Sequence, residues 1–141
     1  MQRVLSWRRT QLEVEEARFR QQSAVVGELD RQKAEAEAAA IRAEIEVRQR
    51  PYVAAAELQA LGAFRLRTKI EEARIAGKRE AAARELAIRQ RAMLEAQRRA
   101  RLLERLRERR EREWEDARTK ELEDLAGEAY LSQWNRARRG S

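Results

Sequence analysis

Leu5, Leu12, Phe19 and Val26 recur every seven residues, and charged or amide side chains fill most positions between them. A seven-residue row is the mark of a helix that lays one narrow stripe against a partner helix. The second row such a stripe needs is poor, since Arg8, Glu15 and Gln22 precede Leu29. From there the apolar positions pass through Ala34, Ala38, Ile41 and Ile45, again spaced by fours and threes. Alanines bury little area, so the expected pairing is weak per turn. The first helix is expected over about residues 3–49.

Pro51 is the only proline in the chain. Within a helix it removes a backbone hydrogen bond and clashes with the preceding turn, which costs about 3 kcal/mol. It also drives Arg50 away from helical dihedrals. A chain reversal is therefore expected at about residues 50–53, across Arg50-Pro51-Tyr52-Val53, with a kinked continuous helix as the alternative. After it Leu58, Leu61 and Phe64, then Leu66, Ile70 and Ala73, are placed to fold back against the end of the first helix. Ala82, Leu86, Met93, Ala96, Ala100 and Leu103 continue a stripe interrupted by Arg89. Gly62 and Gly77 weaken this second helix, expected over about 54–138, without ending it.

The period then changes. Leu103, Trp114 and Leu125 stand eleven apart, as do Leu106 and Ala117. Eleven residues make three nearly straight turns, whereas a seven-residue repeat imposes a left-handed supercoil. A change of partner is the reading. The fold class is all-α: two long helices in an antiparallel coiled-coil hairpin, forming a single elongated domain over residues 1–141. Helices of these lengths measure ~70 Å and ~130 Å. The first is expected to cover the second to about residue 100, leaving a projecting end that carries Leu102, Leu103, Leu106, Trp114, Leu122 and Leu125. Such a row on an isolated helix calls for a partner.

Composition supports this picture: 40% of residues are charged and 5% aromatic, and strong helix formers dominate. With no Cys and no His, the chain lacks disulfides, thiolate chemistry and the commonest metal ligand and general base. We find no phosphate-binding glycine loop and no nucleophile–base set, and the carboxylates stand beside arginines on solvated faces. A binding protein with no catalytic, cofactor or small-molecule site is expected. The least charged stretch, Pro51 to Phe64, is too short to span a bilayer, and the N-terminus offers no signal-peptide core, so a cytoplasmic location is expected.

The net charge of +7 is concentrated between Arg84 and Arg112, which holds 11 Arg and 5 Glu. The excess is read first as a solvated helix face, with an acidic protein, a nucleic acid or an anionic membrane surface as the partners it would favour. Glu104, Glu108, Glu111 and Glu113 are interleaved with the arginines, and no aromatic alternates with them, which disfavours nucleic acid. A structural homodimer and a nucleic-acid-binding helix remain as alternatives.

Several stretches resemble one family. Val4-Leu5-Ser6-Trp7-Arg8-Arg9-Thr10-Gln11, running on to Ala17, is similar to the opening of the flagellar export-ATPase stalk proteins, the FliJ family. Leu103 to Arg110, then Glu113-Trp114, then Lys120 to Ala126, looks like that family's C-terminal pattern, and Glu57 to Leu61 like the start of its second helix. The resemblance implies an antiparallel coiled coil similar to the shaft of rotary ATPases. It would dock in the pore of a hexameric type III export ATPase, promote ring assembly and activity, and link the ring to the cytoplasmic domain of the membrane-embedded export gate. Similar stalks serve virulence-type secretion, and some members associate with export chaperones. Carried over by position, Leu103, Leu106, Trp114, Leu122 and Leu125 fall at the ATPase end. Leu58, Leu61 and Phe64 are the candidates for the gate contact, with packing against the first helix as their other reading. The implied location is the cytoplasmic side of the inner membrane, peripheral to the export apparatus.

Overall fold

A computed structural model describes residues 2–140. Two helices, α1 (Gln2–Gln49) and α2 (Ala55–Arg139), pack against each other as an antiparallel hairpin. Pro51 falls between them. Arg50 N–H donates to the Val47 carbonyl at 3.3 Å, closing α1 with a tightened turn. The Ala54 carbonyl accepts from the amides of both Glu57 and Leu58, at 3.0 and 3.2 Å, and starts α2. Arg50 ties the two ends together by reaching Glu46 at 3.2 Å and Glu57 at 3.1 Å. Among the described residues none has a positive φ, so the reversal uses proline and an extended linker instead of glycine.

The hairpin packs as two units. The larger, Thr10–Gln97, holds the turn. Its seam on α1 runs through Leu12, Phe19, Val26 and Leu29 and then stays in the same heptad register through Ala36, Ala40, Ala43 and Val47. Ala34, Ala38, Ile41 and Ile45 are exposed, contrary to the expectation from sequence; Ile41 keeps 57% of its surface. The supercoil explains the difference. An unbroken 3.5-residue period holds one seam; Ile41 lies about 100° off it and Ile45 about 160° off, on the far side.

On α2 the seam of this unit runs through Leu61, Phe64, Thr68, Ile75, Ala82, Leu86 and Met93. Ile75 is its most buried side chain at 4% exposure, while Leu58, Leu66, Ile70 and Ala73 face outward. Thr68 satisfies its hydroxyl on the Phe64 carbonyl at 2.9 Å, so a polar residue occupies a seam position without an orphaned donor. Gln22 does the same across the hairpin, donating to the Ala82 carbonyl at 3.0 Å. Glu15, one heptad before Gln22, is half-buried and leaves Oε2 without a hydrogen-bond partner.

Cross-helix ion pairs mark the antiparallel register. Arg79 meets Asp30 at 2.8 Å, and Arg65 meets Glu44. Counted from Tyr52, Asp30 is level with Arg74 and Glu44 with Ala60, so each pair lies farther along α2 than level counting gives. Side chains lean toward the N-terminus of their own helix, and in an antiparallel pair this offset always favours the later α2 residue.

The second unit joins residues 2–9 of α1 to residues 98–139 of α2. Leu5 at 2% exposure and Ala100 at 5% are its core, with Leu103 half-buried beside them. Arg9 bridges Glu104 at 3.4 Å. Leu5 and Arg9 share a hollow with Glu104, Arg107, Glu108 and Glu111, and Gln2 borders a second one with Arg107, Arg110, Glu111 and Trp114. Half-burial on α2 extends to Arg107, a few residues past 100. The N-terminal lean of the side chains accounts for the gain. Beyond Trp114, α2 continues for ~37 Å with every described residue exposed.

Candidate partner-binding surface

The uncovered end of α2 is helical by propensity and not by packing. Glu, Arg, Ala and Leu dominate it, and all are strong helix formers. Leu103 belongs to the seam of its unit, half-buried under the start of α1. Eleven residues bring a straight α-helix back to within about 20° of the same direction. Trp114 and then Leu125 thus repeat the direction of Leu103 beyond the point where α1 ends. Trp114 is 63% exposed, and Arg118 lies over its ring, 5.5 Å from the centroid. Leu122 and Leu125 are exposed as well.

Of the five residues placed at the ATPase end by resemblance, Trp114, Leu122 and Leu125 share this side of α2. Leu103 is committed to the hairpin, and Leu106 lies on the flank, in a depression with Leu102, Arg105, Glu108, Arg109 and Arg112. The gate candidates divide similarly. Leu61 and Phe64 are half-buried and line a hollow with Ala43, Val47 and Arg50, whereas Leu58 is exposed. Tyr130, Leu131 and Trp134 form a further exposed group in the last turns, with Arg138 over the Trp134 ring at 5.2 Å. No role is read for Tyr130 and Trp134 from the sequence above. Two aromatics in a helix with no remaining partner were the available signal.

The structure sorts charge around α2 in a way the one-dimensional interleaving hides. Glu104 faces Arg9, and Glu104, Glu108 and Glu111 all border the Leu5 hollow, with Arg107 held by Glu111 at 3.1 Å. Arg98, Arg101, Arg105, Arg109 and Arg112 are all exposed, and none forms an ion pair among the described residues. In the larger unit the Arg65 guanidinium holds the Glu44 carboxyl below its ordinary value, with a smaller contribution from Arg48. Arg31 does the same to Glu28 by hydrogen bonding. No group of three metal-ligating side chains occurs among the described residues, and no helix there is long and apolar enough to cross a membrane.

No family model, curated protein or solved structure matches the chain.

Proposed function

We propose that this chain is a non-enzymatic stalk that docks the bare end of α2 in the pore of a hexameric type III export ATPase. There it promotes ring assembly and hydrolysis and links the ring to the cytoplasmic domain of the export gate. The observation that carries the reading is the direction of Trp114 and Leu125. They prolong the intramolecular seam past the end of α1, so a second molecule can continue the packing that α1 begins. Tryptophan at such a site is a strong anchor, because its large ring gains most when desolvated.

A helix inserted along a six-fold axis touches identical subunits unequally at any moment and so biases their nucleotide states differently. Exposed arginines on α2 draw the stalk toward acidic pore residues and raise the association rate more than the affinity. Leu58, with Leu61 and Phe64 beside it, is the proposed contact with the gate, near the turn. The complex would then sit at the cytoplasmic face of the inner membrane.

The test is the rate of ATP hydrolysis by the hexameric export ATPase of the same organism, with and without the chain. Wild type is expected to stimulate. Trp114→Ala is expected to weaken apparent affinity about thirtyfold, the lower end of hot-spot losses, while circular dichroism stays helical. Equal stimulation by the variant, or none by wild type, contradicts the proposal.

A further inference from the structure

The outward face of α2 in the smaller unit carries an ordered change of sign. Arg98, Arg101, Arg105, Arg109 and Arg112 follow one another at spacings of three or four, so they share one side of the helix. Arg105 lies two residues from the seam residue Leu103, about 200° away around the axis, which puts this row opposite α1. The row spans ~21 Å. The same side continues through Asp116, Lys120, Glu123 and Tyr130, and the segment from Glu113 to Glu128 holds seven carboxylates against Arg118 and Lys120. The first half of the face is thus positive, and the next half carries Asp116 and Glu123 against Lys120 within a segment that is acidic overall.

A uniformly negative ligand fits such a face badly. A nucleic-acid backbone laid on the arginines meets Glu113, Glu115 and Asp116 as soon as the row ends. The matching surface is one with the same two halves in reverse order. A second copy of α2 run antiparallel has that order by construction, and a two-fold axis repeats every favourable pair. With Arg112 opposite Asp116 of the second copy, Arg105 falls opposite its Glu123. In the same register Arg98 falls opposite the Tyr130 ring.

We propose that the chain self-associates as an antiparallel two-fold dimer through this outer face of α2, centred near Trp114. The seam is left intact, because the pairing uses the side of the helix that α1 does not touch. Exposed charge pairs are individually weak and are screened by salt, so the dimer is a reversible one, formed at low ionic strength. It does not rest on the ATPase reading. Dimer and docked stalk would use overlapping stretches of α2 and compete.

Sedimentation equilibrium of the full chain tests this. At about 0.1 M salt the mass is expected to approach twice the 16.6 kDa of one chain, and at about 1 M salt to return to one chain. Arg105→Glu with Arg112→Glu, and separately Asp116→Arg with Glu123→Arg, are each expected to be monomeric. An equimolar mixture of the two double variants is expected to recover the doubled mass, which also shows that both remain folded. A monomeric wild type up to about 1 mM chain overturns the proposal, as does a mixture that stays monomeric. Salt-sensitive RNA binding by a monomeric wild type, lost in the arginine variant, would assign the face to a polyanion instead.

Discussion

The side-chain amide of Gln22 donates to the main-chain carbonyl of Ala82 at 3.0 Å, from one helix to the other. Ala82 is the small residue in a seam otherwise lined by Ile75, Leu86 and Met93, and its methyl leaves the carbonyl within reach of the neighbouring helix. The amide dipole fixes relative height where apolar area is too sparse to do so. Gln22→Ala is expected to lower unfolding free energy by about 1 kcal/mol, in line with the loss of one net hydrogen bond. Urea denaturation followed by circular dichroism measures it; an unchanged midpoint would mean the bond contributes nothing.

Ile75 and Ile41 are the same residue type with opposite surroundings, 4% and 57% exposed. Ile75→Ala leaves a gap in a narrow seam and is expected to cost about 2–3 kcal/mol, the lower part of the range for buried aliphatics. Ile41→Ala is expected to change stability by less than about 0.5 kcal/mol. Thermal melts of the two variants check the pair, and similar losses would mean that the seam is misplaced.

The reversal at Pro51, the two helices and the α2 stripe from Ala82 to Leu103 were legible in the sequence because each rests on a local cause: a missing amide hydrogen, a helix-forming composition, a repeated apolar position. The course of α1 after Leu29 was not. Ile41 and Ile45 attract an apolar reading more strongly than Ala36, Ala40 and Ala43, yet the register set by Leu5 to Val26 wins, since leaving it would mean rotating the whole helix. Ile75 was overlooked because Thr68 and Arg79 flank it in the heptad rows. At the bare end, the eleven-residue spacing revealed Trp114 and Leu125. The separation of arginines from glutamates around α2 depends on where α1 lies, which the linear order of charges does not contain.

The Glu44 carboxyl is held below its ordinary value of 4.5, first by its hydrogen bond to Arg65. A carboxyl with a depressed folded pKa stabilises above its unfolded pKa and loses that contribution as pH falls through the folded value. Melting temperature is therefore expected to decline as pH is lowered from about 5 toward 3. Glu44→Gln is expected to flatten part of that decline while lowering the melting temperature at neutral pH. A variant whose acid profile parallels wild type would exclude the Arg65 pair as a contributor.

The central claim is that the end of α2 beyond the reach of α1 is the part another protein holds. Site-specific photo-crosslinking addresses it directly, with the probe placed either at Leu125 or at Ile70, both exposed positions of α2. Mixed with the hexameric export ATPase, the probe at position 125 is expected to form an adduct with an ATPase subunit and the probe at position 70 to form none. An adduct at 70 without one at 125, or no adduct at either, would contradict the account.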